Sequence, residues 1–187
     1  LEAGLASPSA KMKIVAIQAI EAAELQDLAD SVAQKMEDKD DRVVAAAAIA
    51  ILRGGYVQAP EVAEQLLASE NAEARAIIVD GLGKKAGILA ADDLEKAATD
   101  PDPRVRRIAI RWLGQMKDQN AVALLTRRMR DPDEAVRAAS ATALARIGIG
   151  NLESLGTQAL KDRALAVRLA GIDLLVAAKR TDRLIQV

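Results

Sequence analysis

The chain has 187 residues, 26 basic and 27 acidic side chains for a net charge of −1, and neither His nor Cys. Near-zero net charge argues against a nucleic-acid binder, and missing imidazole and thiol groups remove the usual nucleophile pairs, the nitrogen or sulfur metal sites and any disulfide. The composition is 51% apolar with no Phe, one Trp and one Tyr, so Ala and Leu must build the core, which favours helix over strand. The longest apolar run, 43–52, is far short of the roughly 18 residues that would suggest a membrane span. The absence of Cys leaves the compartment open.

Six segments superimpose at a spacing of 31 residues without a gap. One column reads Met12, Val43, Ala74, Val105, Val136, Val167, and the next Lys13, Val44, Arg75, Arg106, Arg137, Arg168. A fixed period of this length is the signature of a solenoid, whose units bury their apolar faces only by stacking on one another. In chain order, 1–6 has the register of a second-helix tail, because Leu1 and Leu5 align with Leu125 and Met129. Repeats then occupy 7–37, 38–68, 69–99, 100–130 and 131–161, with a partial repeat at 162–187. Both ends fall inside the repeat, which leads to the expectation of a fragment of a longer protein, one repeat domain over 1–187.

Each repeat predicts two helices, giving an all-α architecture. In the fourth, Asp100-Pro-Asp-Pro103 is a turn with Asp102 as N-cap. Val105, Ile108, Ala109, Trp112, Leu113 and Met116 then recur at helical spacing as the buried face, and the Ile110 column is apolar in every repeat. Gly114, or Gly148 in the fifth repeat, is expected to supply the turn. A shorter second helix follows, with Ala121, Val122, Leu125 and Met129 inward.

These residues carry a resemblance. Asp102-Pro-Arg-Val-Arg106 with Ala109 and Trp112-Leu-Gly114, and Asp133-Glu-Ala-Val-Arg137 with Ala143-Leu144 and Gly148, resemble the HEAT-like repeats named after phycobilisome lyases. The first repeat departs from the pattern, with Ser9 and Lys13 at the acidic and Arg positions. The resemblance implies an α-solenoid, a right-handed superhelix of stacked helix pairs whose second helices line a concave, protein-binding surface. It also implies an alternative, a tetrapyrrole lyase or chaperone-like subunit, against which stand the missing His and Cys and the few aromatics.

The recurring Asp and Arg could be a ligand ladder, but a feature present wherever a repeat begins reads better as capping plus hydrogen bonds between neighbouring repeats, each of order 0–1 kcal/mol. Trp112 falls on an inward column between the small Gly81 and Ala143 and is read as core; Tyr56 sits in the turn after Gly54-Gly55. The adjacent carboxylates Asp40-Asp41 and Asp92-Asp93 read as helix starts, and Gly81-Leu-Gly83 is not a phosphate loop. No enzyme, cofactor or metal is expected.

Charge goes beyond scaffold. Residues 1–99 carry 10 basic and 17 acidic side chains, net −7, and residues 100–187 carry 16 and 10, net +6. Outward positions of the second helices run from Glu61, Glu64, Asp92 and Glu95 to Arg127, Arg130 and Lys161, which are the candidate partner-binding residues. The expected role is a non-catalytic protein–protein interaction or scaffolding module. Nucleic-acid binding through the fourth-repeat arginines is the least favoured reading. End-to-end self-association is a further expectation, through Val167, Leu169, Ile172, Leu175 and Val176.

Overall fold

The computed structural model describes residues 1–53, 67–84 and 91–179. Among them every regular element is helical, eleven α-helices and two 3-10 segments with no strand, and the fold is an α-solenoid. Two compact units, Leu1–Ile88 and Leu89–Val187, make up the chain.

In the first unit, α1 (Glu2–Leu5) packs on α2 (Ala10–Ala22). The second helix of this repeat is broken: α3 (Ala29–Ala33) lies between the 3-10 segments Gln26–Leu28 and Gln34–Glu37. α2 also packs on α4 (Asp41–Arg53), which packs in turn on α5 (Ala72–Lys84). Leu5, Ile17, Ile20, Val32, Val43 and Ala47 form the core around α2 and α4. Consecutive buried residues from Ala45 to Ile49 show α4 covered on several sides, as its wide apolar arc requires. Met12 differs from the rest of its column: Val43, Ala74, Val105, Val136 and Val167 are buried, whereas Met12 is exposed, with only the one-turn α1 preceding its helix.

Asp40 opens α4 by accepting from the Arg42 backbone N–H at 3.0 Å and from the Arg42 guanidinium at 2.9 and 2.7 Å. That charge-assisted pairing holds its carboxyl at about 2 instead of the ordinary 3.8. Because the folded form holds the proton less tightly than the unfolded chain, this pairing stabilises fully above about pH 4 and is lost as pH falls through about 2. Urea unfolding between pH 5 and 2 should therefore show a steeper acid loss in the wild type than in Asp40→Asn, which keeps a cap acceptor but cannot titrate. Parallel curves would refute the assignment.

The second unit contains α6 (Ala91–Ala97), α7 (Pro103–Met116), α8 (Val122–Arg128), α9 (Glu134–Ile147), α10 (Leu152–Ala159) and α11 (Leu165–Ala177). The first helices α7, α9 and α11 pack in series, while α6, α8 and α10 pack chiefly on the first helix that follows each of them. Val105, Ile110, Leu113, Leu125, Leu144 and Leu174 are fully or almost fully buried between the two layers. Asp102 caps α7 by accepting from the Arg104 N–H at 2.8 Å, with Pro103 at the first helical position, and Asp133 caps α9 by accepting from the Val136 N–H at 3.0 Å.

Several sequence expectations are corrected in this unit. Gly148 does end α9 in the left-handed conformation, φ 78°, but Gly114 is a buried interior residue of α7, and Lys117 at φ 53° takes the left-handed cap. Gly114 is small because α9 crosses it: a Cβ there would stand 2.6 Å from the Ala143 Cβ and 2.7 Å from its Cα. Met116 is exposed, and Trp112 is half-buried. On α11, Val167 and Leu175 are buried, Leu175 lying against Gly156 of α10. Leu165, Leu169 and Val176 are the exposed residues, with Ile172 half-buried between them. Positions 165, 169, 172 and 176 fall on one face of α11, the face turned away from α9 and α10.

Candidate functional site

The repeated Arg column is a set of clasps. Arg106 donates from Nη1 to the Asp100 and Pro101 carbonyls of its own turn at 2.8 and 2.9 Å. From Nε and Nη2 it donates to both carboxylate oxygens of Asp131, at 3.0 and 2.7 Å, in the turn that opens the next repeat. Arg137 repeats the arrangement on the Asp131 and Pro132 carbonyls and, at 2.8 and 2.9 Å, on Asp162. This hydrogen-bonded Arg137 guanidinium lowers the Asp162 carboxyl below its ordinary value. Arg168 grips the Asp162 and Arg163 carbonyls, and Lys13 reaches Asp38 at 2.5 Å across the same 25-residue interval.

The acidic partner is thus not the capping column of Asp102 and Asp133 but the residue two places earlier. The signal was in the sequence: Asp38, Asp131 and Asp162 recur in register, and where the basic residue is absent, at Val44, the acid is replaced by Ser69. These pairs are also not the weak surface bridges expected. The Arg106 and Asp131 side chains are 9% and 0% exposed, so each needs the other to offset desolvation. Their role is structural, which leaves binding to charges that are not committed in this way.

Of the seven candidate binding residues, Glu61 and Glu64 lie outside the described residues, as do Tyr56 and the segment 181–187. The other five belong to the second-helix layer of the second unit. Asp92 and Glu95 are on α6, Asp92 exposed and Glu95 half-buried; Arg127 is exposed on α8; Arg130 and Lys161 are exposed in the turns after α8 and α10. Among the described residues no ion pair forms on any of the five, in contrast to their neighbours Asp93 with Lys96 at 3.4 Å and Arg128 with Asp131 at 3.6 Å. Lys161 borders an open cleft of about 480 Å³ with Asn151, Glu153, Ser154, Thr157 and Gln158.

A second set of charges lies on the other layer. Arg107, Arg111 and Arg146, all exposed, border a cleft of about 270 Å³ between α7 and α9 with Ile108, Ala139, Thr142 and Ala143. The Arg111 guanidinium stands 5.6 Å from the centre of the Trp112 ring. Side-chain donors thus ring an apolar floor, an arrangement whose charge suits anions. Among the described residues no cluster of His, Cys, Asp or Glu could hold a metal ion, and no helix is long and apolar enough to cross a membrane.

With helix pairs, capped turns and Arg clasps in place, the second unit has the construction of a HEAT-like array. A family described as HEAT repeats matches residues 91–176, nearly the whole described part of that unit. The chain is also similar to an engineered protein of known crystal structure, with 19% identity, a TM-score of 0.63, and 95% of this chain and 94% of that one covered; this likeness is one of fold. No curated protein matches the chain. HEAT repeats generally mediate protein–protein interaction.

Proposed function

We propose that the chain is a non-catalytic interaction module, of the phycobilisome-lyase type of HEAT-like repeat, that binds another protein along its second helices. In this reading residues 1–187 form one array, with 1–6 the tail of a preceding repeat, repeats at 7–37, 38–68, 69–99, 100–130 and 131–161 and a partial repeat at 162–187, and the second helices present their outward residues in order. The observation that carries it is a set of charges in the second unit that form no ion pair among the described residues: Asp92 and the half-buried Glu95, then the exposed Arg127, Arg130 and Lys161. Fixed charges of opposite sign along one stripe select the direction in which a partner segment lies, and they act on encounter rate and specificity more than on affinity. The partner is a protein segment of complementary polarity, and Glu61 and Glu64 extend the acidic end.

A photo-crosslinking residue at position 127 would identify the partner, whose association rate is then measured at several salt concentrations. Arg127→Glu with Arg130→Glu should slow association by roughly tenfold and flatten its salt response while the helical signal is unchanged. An unchanged rate and salt response would reduce the charge order to solvated surface.

A further inference from the structure

The second-helix stripe does not account for the three arginines on the opposite layer, and these form a site of their own. Arg107 and Arg111 are four residues apart on α7, about 6 Å along the helix axis, and Arg146 faces them from α9. Between them the floor is apolar, Ile108 and Ala143, with the Thr142 hydroxyl as one further polar group. Among the described residues Arg107 and Arg146 form no ion pair, although α7 and α9 each hold another arginine in a buried clasp. The cleft recurs with the repeat, but its basic lining does not. The equivalent columns in the first unit also form a cleft, near α2, α4 and α5, but its walls include Glu21 and Asp80.

We infer that the α7–α9 cleft is a docking site for an acidic amphipathic peptide segment of a partner protein. Such a segment would present one carboxylate to Arg107 and a second to Arg146 across the cleft, and one aliphatic side chain to the floor between them. Guanidinium forks match carboxylates in pairs, and the apolar floor adds a contact that a bare anion cannot use. Charge number decides against a nucleic acid. Three arginines neutralise at most about three phosphates, whereas useful affinity at physiological salt takes contacts with roughly 6–10. This site is independent of the second-helix reading, and each can fail without the other.

Trp112, the chain's single tryptophan, sits beside Arg111 and reports on the cleft. Its emission is followed while the protein is titrated with a synthetic Glu/Leu-patterned helical peptide, a Lys/Leu counterpart, inorganic phosphate and a single-stranded oligonucleotide. The acidic peptide should give a saturable change, with a log–log salt slope no steeper than about −3. Binding should weaken roughly tenfold in Arg107→Ala with Arg146→Ala, whose exposed side chains leave the fold intact, and should be unaffected by Arg127→Glu with Arg130→Glu. The proposal is overturned by no saturable change, by equal binding of the Lys/Leu peptide, or by undiminished binding in the Arg107/Arg146 double variant. Phosphate matching the acidic peptide would reassign the site to a phosphate group, and tighter oligonucleotide binding with a steeper salt slope would reassign it to nucleic acid.

Discussion

Asp131→Ala should cost about 3–5 kcal/mol of unfolding free energy, the usual penalty for leaving a buried charge without its partner. Asp131 is fully buried, accepts two hydrogen bonds from Arg106, and also accepts from the Asp133 N–H at 3.0 Å, so its loss strands a guanidinium and loosens the start of α9 together. Against a total stability of about 5–15 kcal/mol for a domain, the second unit should be close to unfolding at 37 °C. Adding Arg106→Met should recover most of the loss, because an apolar side chain in place of the pair avoids the desolvation cost altogether. Urea denaturation followed by helical circular dichroism measures both variants. A single variant within 1 kcal/mol of wild type would show that water reaches the clasp.

Gly114→Ala pits two effects of opposite sign against each other. Alanine is the better helix former by about 1 kcal/mol, which alone would stabilise the interior of α7. The new methyl, however, would meet the Ala143 Cβ and Cα at 2.6 and 2.7 Å, and the second of these belongs to the backbone of α9 and cannot rotate away. Overpacking of this kind costs about 1–3 kcal/mol, and a larger residue costs more because the two helices must separate. The net result should be destabilisation for Ala, and for Gly114→Val a loss large enough to disrupt the α7–α9 packing, read as a lowered urea midpoint. A stabilised Gly114→Ala would mean that the helices can separate at no cost.

The fold was legible because a 31-residue period repeats every error and every success. Apolar columns such as Val105, Val136 and Val167 identify the buried face without any tertiary knowledge. The misreadings come from quantities that periodicity does not encode. Gly114 looks like a turn residue because glycine most often serves there, and only the distance to Ala143 shows that it serves packing. Trp112 lies on an inward column yet is half-buried at the edge of α7, and the stripe on α11 includes Leu165 in place of Val167 because helix rotation decides which neighbour is faced. Of the candidate surface, the outward positions of Asp92, Arg127, Arg130 and Lys161 could be read from spacing, whereas the partial burial of Glu95 and the α7–α9 cleft could not. Arg107, Arg111 and Arg146 come from two helices 31 residues apart in register, and only the separation of those helices makes a cavity among them.

The basic residue of each clasp reaches 25 residues ahead, from Lys13 to Asp38, Arg106 to Asp131 and Arg137 to Asp162, so melting one repeat deprives its neighbour of a hydrogen-bonded turn. Joints fastened in this way make adjacent repeats open together. The joint at Val44 and Ser69 is fastened differently, by packing, by the Ser69 hydroxyl on Asp41 and by the exposed Arg42–Glu73 bridge. In a nearest-neighbour array the weakest joint sets the boundary between cooperative blocks. A joint without a clasp therefore opens at less cost than an equally packed clasped one, and a partner held across it would sense that opening.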